Sequence, residues 1–463
     1  MHDGRLGALV LAAGKGTRMH SELPKVLQPL LGEPMLWYTY EALLPVVSKE
    51  SLWTVVGHGS QRVESLFPKF ASGFILQEEQ LGTGHALQCA CPSLRESRIS
   101  LCLIVNGDAP LLTPQSMEAL TRTAVESEAE LTFLSLELDD PSGYGRIVRD
   151  GQGYVRGIVE DKDIAEDRVR SIREVNAGMY CVNLEAVQPY LDRLSNDNRQ
   201  GEYYLPELID LLVADGKRVE TVCQGPNPEF LGINTPKDLI HCEAVLQERI
   251  VSRLLEQGVI IRNPQQARIG PKVEVQPGAD LTGPLELYGA CSVAGGCSIE
   301  SHVWMRDVAM EASCRVRSFS HLEEARIGEG VQVGPYARIR PGTELRTGSR
   351  VGNFVEVKKS VVGEKSKVNH LTYIGDTRIG RETNVGAGTI TCNYDGRSKH
   401  ETVIGDRVFI GSNTALVAPV TIGDASLIGA GSTITKDVPQ SKLAVGRSKQ
   451  RNLDLKKAPT QDT

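Results

Sequence analysis

The sequence predicts two folds in tandem: an α/β unit with a Rossmann-like mixed sheet, then an all-β solenoid whose coils have three flat faces. Three observations carry that prediction. Short apolar runs alternate with helical patterns over roughly the first 230 residues, a long helix signal opens at Thr235, and small aliphatic residues then recur at every sixth position. At 463 residues the chain is also too long for one ordinary core.

In the first part, the runs Gly7–Ala12, Trp53–Val56, Leu101–Val105 and Leu131–Leu136 read as buried strands. Separated by helical patterns, they predict βα units feeding a mostly parallel sheet. Next, Thr235-Pro236-Lys237-Asp238 supplies an N-cap hydroxyl, a proline at the first helical position and an acid in the first turn. Leu239, Val245, Leu246, Ile250 and Leu254 follow at roughly helical spacing, and Gly258 ends the run. At ~1.5 Å per residue this arm is about 33 Å long.

After Gly258 the period becomes six: Ile269, Val275, Leu281, Leu287, Val293, Ile299, then Ile327, Val333, Ile339, Leu345, Val351, Val357. A shifted phase holds Val362, Val368 and Ile374, and a last series runs Ile404, Ile410, Leu416, Ile422, Ile428, Ile434. Glycine often follows, as in Ile404-Gly405 and Ile410-Gly411. Six fits neither the helical period nor strict alternation. It fits a left-handed parallel β-helix, with the aliphatic side chain inside a triangular prism, about 18 residues per coil and on the order of ten coils. The phase fails over 391–403, which reads as a polar loop thrown out from the coil, the kind of segment that carries function on a rigid scaffold. The expected organisation is 1–233 for the α/β domain, 234–258 for the arm, 259–448 for the β-helix and 449–463 for a solvated polar tail.

Composition narrows the function classes. A net charge of −7 with 24% charged and 40% hydrophobic residues is neither a disordered profile nor a nucleic-acid binder's. Ten scattered cysteines without C-x-x-C or zinc spacing fit free thiols in a reducing cytoplasm, and the Cys89/Cys91 pair reads as core thiols. The short apolar stretch Leu6–Ala13 is followed, not preceded, by the basic Lys15 and Arg18, and no run reaches the ~20 residues of a membrane span. A cytoplasmic protein without membrane insertion is expected.

The chemistry begins directly after the first strand, where Leu11, Ala12, Ala13, Gly14, Lys15, Gly16, Thr17 and Arg18 form a glycine-rich turn with two cations. Backbone N–H groups of such a turn can cradle phosphates, although neither the P-loop nor the G-x-G-x-x-G spacing is present. Lys25, after Pro24, adds a charge for a second phosphate. Asn106-Gly107-Asp108 ends an apolar strand, where open α/β sheets place ligands.

These strings resemble the nucleotide-diphosphate-sugar pyrophosphorylases. The resemblance implies that Gln77 and Gln80 hydrogen-bond a uracil edge lined by Gly82 and Thr83, and that Asp108 with Asn234 holds Mg²⁺. It also implies that Gly145, Glu160 and Asn176 contact the sugar. Asn106 stands where that family commonly has tyrosine, and Pro236 where arginine is usual. In the second part, Arg338–Lys359, Asn369–Asp376, Gly386–Gly396 and Lys399 closely resemble the bifunctional N-acetylglucosamine-1-phosphate uridyltransferase / glucosamine-1-phosphate N-acetyltransferase family. That resemblance covers nearly the whole chain.

It implies His370 as general base, a role suited to an imidazole, with Glu356 orienting it or raising its basicity. Arg340, Lys358 and Lys399 would hold the sugar phosphate, and Tyr373, Asn384, Asn393 and Tyr394 the sugar and acetyl group. Ser412, Ala430 and Arg447 would hold coenzyme A. Acetyl-CoA and UTP are the implied co-substrates, and a homotrimer with sites between prisms is the implied assembly. A single-activity nucleotidyltransferase with a structural β-helix is the alternative.

Overall fold

In the computed structural model, which describes residues 5–230 and 232–453, Arg5–Ala12 is an inner strand with Ala8, Leu9 and Val10 wholly buried. Its neighbours Leu52–Val56 and Ile99–Asn106 run parallel to it. The sheet order is Val219–Cys223, Leu131–Glu137, Glu174–Asn183, Ile99–Asn106, Arg5–Ala12, Leu52–Val56, Gly73–Leu76. Glu174–Asn183 is antiparallel to both neighbours while the other six strands of this order run one way, so the sheet is mixed with a parallel majority. The chain reaches that strand through the hairpin Arg146–Arg149/Val155–Val159, and a hairpin, unlike a crossover helix, reverses direction. The sheet order switches sides at Arg5–Ala12. The carboxyl ends of that strand and of Ile99–Asn106 therefore open a crevice, and Gly14 and Asp108 follow directly from them.

One acid with a raised pKa is outside this crevice. Asp210, on the helix Glu207–Ala214, lies against Gly157 and accepts the Ile158 amide; burial first, then Glu207, pushes its carboxyl up to about 6. Between the ordinary carboxylate range and pH 6 the unfolded chain ionises while the folded carboxyl keeps its proton, so stability falls as pH rises there. The residue retains solvent contact, which limits the effect. Asp210→Asn should melt about 1–3 °C above wild type at pH 8 and level with it near pH 4, read by thermal unfolding at both pH values.

The helix Pro236–Glu256 begins as its sequence predicts. Thr235 Oγ1 accepts the Asp238 amide at 3.2 Å, while the Asp238 carboxylate accepts the amides of Thr235 and Asn234 at 2.8 and 3.0 Å. The chain divides into two compact units between Leu246 and Gln247, within this helix. No helix among the described residues is long and apolar enough to cross a membrane. All ten cysteines are free thiols, with Cys91 buried and Cys89 half-buried.

The second unit stacks its strands into three parallel sheets of eleven, ten and nine. Every residue of the six-period series is buried, pointing into the prism. On one face the inward partners Leu287, Met305, Leu322 and Ile339 are 18, 17 and 17 residues apart. The shorter coils shift the phase, and Met305, Met310, Val316 and Leu322 fill the inner positions between Ile299 and Ile327. A Cβ on Gly411 would lie 2.4 Å from the Ala430 nitrogen of the next coil, which accounts for glycine after the inward residue. The excursion is shorter than the polar run 391–403. Strand Ile390–Cys392 stays in the coil with Thr391 inward, its Oγ1 accepting the Gly375 amide at 2.8 Å, and pairing resumes at Thr402. Of the polar tail, 454–463 lies outside the described residues.

Candidate functional site

In the first unit, the crevice is a cavity of about 250 Å³ lined by Leu11, Ala12, Ala13, Gly14, Lys25, Gln77, Gln80, Gly82, Thr83, Asn106 and Asp108. Gly16 takes a positive φ of 60°, and a Cβ there would lie 2.6 Å from that of Lys25, so glycine lets the loop close onto the lysine stem. Lys25 forms an ion pair with Asp108 and donates to Asn234 Oδ1 at 2.9 Å. Arg18 donates to the same Asn234 oxygen at 2.8 Å. Lys15 is exposed on the turn between Gly14 and Gly16.

Asn234 is held in place from below. The Asp238 carboxyl, despite burial, is kept below the usual range by the amides of Asn234 and Thr235. Two side-chain oxygens, from Asp108 and Asn234, thus converge on one ammonium. Hard oxygen donors brought to one point suit Mg²⁺, which takes most of its ligands from water and phosphate and needs few from protein. No cluster of three His, Cys, Asp or Glu that could hold a metal ion occurs among the described residues.

The segment Gln77–Thr83 is fixed by its own backbone and by the chain near Tyr203. Tyr203 accepts the Gly84 amide at 2.8 Å, its own amide donates to Leu81 at 2.8 Å, and Thr83 Oγ1 accepts the Leu205 amide at 3.0 Å. Gln80 Nε2 donates to the backbone of Gln77 and Glu78, at 2.9 and 3.2 Å. Glu202, which sequence reasoning missed, also lines the cavity. The signal for it is absent because Glu202 reaches the cavity only through this long-range backbone pairing.

Gly145, Glu160 and Asn176 come together beyond the strand Ile99–Asn106. The Asn176 amide donates to Gly145 O at 2.9 Å, and Gly145 is so close to Glu160 that a Cβ would lie 3.1 Å from its Oε1. Burial first, then Asp163 and Asp161, raises the Glu160 carboxyl above its ordinary value. Asn106 bonds the Gly178 carbonyl at 3.3 Å, and a Cβ on Gly178 would lie 2.7 Å from its Nδ2. The asparagine thereby joins the cavity wall to the Asn176–Gly178 bend.

In the second unit the predicted residues lie along one face of the prism and the corner that precedes it. His370 ends the strand Lys367–His370, Leu371 turns the corner with φ of 48°, and Tyr373 starts the next face. Thr372 Oγ1 donates to the His370 carbonyl at 2.6 Å. His370 Nδ1 is 2.9 Å from Asn353 Oδ1 on the preceding coil. With Nδ1–H donating to that oxygen, Nε2 is left as the ring's acceptor. Glu356 does not orient the histidine; it pairs with Arg340 at 2.7 Å. The correction follows from the register, in which Asn353 opposes His370 while Glu356 opposes Tyr373. Asn353 lies in the quoted run Arg338–Lys359, but an asparagine carries no charge to single it out.

The face beyond Tyr373 is cationic. The Lys358 ammonium is held below its usual value by Lys399 first, and Arg340 adds to the effect. Three cations crowded this way suit a multiply charged anion. Lys399 comes from the excursion, which is ordered by a bridge to Tyr394 and by Asp395. Asp395 accepts two backbone amides at 2.7 Å and pairs with His400 at 2.7 Å. Asn393 donates to Asp376 at 2.5 Å. Asn384 is on the His370 face, paired between Lys367 and Phe409. Ser412, Ala430 and Arg447 are exposed and climb the same corner: Asn413 N bonds Ala387 O at 2.7 Å, Gly431 N bonds Ser412 O at 2.8 Å, and Arg447 Nη1 bonds Ala430 O at 2.8 Å.

Comparison with known proteins agrees with both halves. The MobA-like NTP transferase domain matches residues 8–145, and the bacterial transferase hexapeptide family (six repeats) matches 401–436. The chain is 50% identical over 448 residues to the bifunctional protein GlmU of Oleidesulfovibrio alaskensis, covering 96% of this chain and 97% of that one. It is 50% identical over 451 residues to bifunctional protein GlmU of Nitratidesulfovibrio vulgaris strain Hildenborough, covering 97% and 98%. The bifunctional protein GlmU of Stutzerimonas stutzeri is 44% identical over 460 residues, 98% of this chain and 99% of that one.

Proposed function

The chain belongs to the bifunctional GlmU family, and on that premise we propose how its two sites make UDP-N-acetylglucosamine. Glucosamine 1-phosphate is acetylated from acetyl-CoA, and the product then receives UMP from UTP with release of pyrophosphate. The nucleotide sugar feeds cell-wall and outer-membrane glycan synthesis. The reading rests most on one observation: His370, its Nδ1 tied to Asn353, lies at the corner beside a face of three crowded cations. A merely structural coil has no use for that arrangement, and the single-activity alternative is not favoured.

In the acetyl step, Arg340, Lys358 and Lys399 hold the sugar phosphate while Tyr373, Asn384, Asn393 and Tyr394 hold the sugar and acetyl group. His370 Nε2 takes a proton from the amine, whose nitrogen attacks the thioester carbonyl; the C–S bond breaks and the coenzyme leaves, held by Ser412, Ala430 and Arg447. In the uridylyl step, Gln77 and Gln80 hold the base, with Gly82 and Thr83 lining it. The turn Leu11–Arg18 with Lys15 and Arg18 cradles the triphosphate. Gly145, Glu160 and Asn176 position the sugar, and Lys25 neutralises charge as the sugar phosphate oxygen attacks the α-phosphorus. Mg²⁺, held by Asp108 and Asn234, would supply further charge stabilisation for the departing pyrophosphate.

We assign uridylyl transfer to 1–233 and acetyl transfer to 259–448, with 234–258 as the arm and 449–463 as a solvated tail. A homotrimer and a cytoplasmic location complete the proposal; flat solenoid faces favour closed self-association.

Two smaller tests address the acetyl site. Asn353→Ala should lower kcat for thiol release about 10- to 100-fold, the range expected when a hydrogen bond to a group that becomes charged is lost. Lys358→Ala should raise KM for glucosamine 1-phosphate about tenfold with a smaller change in kcat, since its charge acts on substrate and transition state alike. Steady-state thiol release measures both. An unchanged KM in Lys358→Ala would remove that lysine from the phosphate site.

A further inference from the structure

Resting on the reading that Gln77 faces the uracil edge, we infer that His85 is a positioning residue that sets which base the first site accepts. Gln77 is buried against the cavity, and its Nε2 is 3.0 Å from the Gly82 carbonyl oxygen and 3.1 Å from His85 Nδ1. A carbonyl only accepts, so the Gln77 atom facing Gly82 is the amide nitrogen. Its second hydrogen reaches His85 Nδ1, which accepts only when the ring proton is on Nε2. That proton points at Cys89 Sγ, 3.5 Å away and one turn along the helix Thr83–Glu96. Burial pushes the Cys89 thiol up, so the sulfur is a neutral partner for that proton.

The relay Gln77–His85–Cys89 engages both N–H groups of the Gln77 amide and leaves Oε1 as its only polar atom for a base. Among the described residues, none donates to that oxygen. Uracil presents N3–H, a donor, at the position where cytosine presents a bare acceptor nitrogen. An amide fixed with its oxygen outward therefore accepts from uracil and faces cytosine lone pair to lone pair. Without His85, only the Gly82 carbonyl would restrain the amide, and one N–H would be free to turn toward a base.

The test is pyrophosphate release by the full-length protein with N-acetylglucosamine 1-phosphate and either UTP or CTP, for wild type, His85→Ala, His85→Asn and His85→Gln. The ratio of kcat/KM for UTP over CTP should fall about tenfold or more in His85→Ala, one hydrogen bond's worth. Asn puts an acceptor oxygen where Nδ1 stood and should restore most of the ratio, whereas Gln puts it where Nε2 stood and should not. If His85→Ala fails to fold, the Asn and Gln variants carry the same comparison. Equal losses with both nucleotides, the ratio unchanged, would make His85 structural only and overturn the inference. A wild type that shows no preference for UTP would instead defeat the reading of Gln77 itself.

Discussion

Replacing His370 by Ala should reduce acetyl-CoA-dependent thiol release about 10²- to 10⁴-fold while leaving pyrophosphate release from UTP and N-acetylglucosamine 1-phosphate unchanged. The size is that of a positioned general base. The amine of the sugar must lose a proton to become neutral on acylation, and the free Nε2 is the acceptor that the Asn353 bond leaves available. Because the side chain is exposed at a prism corner and makes no core contact, truncation should leave thermal unfolding unaltered. The loss should fall on kcat and not on KM, which separates it from Lys358→Ala. A variant with wild-type thiol release would remove His370 from the chemistry.

Asp108→Asn should produce the mirror image: pyrophosphate release down about 10²- to 10⁴-fold, thiol release intact. The carboxylate is paired with Lys25, which shares Asn234 with Arg18, so one charge is removed from a cluster of four groups. Asparagine keeps the shape and a donor-acceptor tip, so the loss reports on charge and not on packing. Raising Mg²⁺ should recover part of the activity, because a site reduced to neutral oxygens still binds the ion, only more weakly. Full activity at ordinary Mg²⁺ would show that Asp108 has no part in the step.

The two halves were unequally legible in the sequence. Residues repeating at six are inward because a triangular coil allows little else, so Ile269 through Ile434 could be placed one by one. What the period hid were its exceptions: methionine at 305 and 310, threonine at 391, and coils of 17 that shift the phase. In the α/β unit the strands were legible as apolar runs, and so was the shared direction of most of them; the single reversal was not. An antiparallel Glu174–Asn183 follows from a hairpin of charged, unremarkable sequence at Arg146–Val159. At the sites, charged and glycine-rich motifs announced themselves. Asn353 and Glu202 did not, because each acts through a neighbour supplied by the fold; His85 and Cys89 are only one helical turn apart, but nothing local shows that His85 meets Gln77.

The most direct test of two independent sites on one chain is complementation in a tube. His370→Ala and Asp108→Asn would each be given glucosamine 1-phosphate, acetyl-CoA, UTP and Mg²⁺, alone and as an equimolar mixture, with UDP-N-acetylglucosamine quantified. Neither variant alone should form it, and the mixture should, because N-acetylglucosamine 1-phosphate released by one is used by the other. Product from either variant alone at the wild-type rate, or none from the mixture while each retains its remaining activity, would contradict the account.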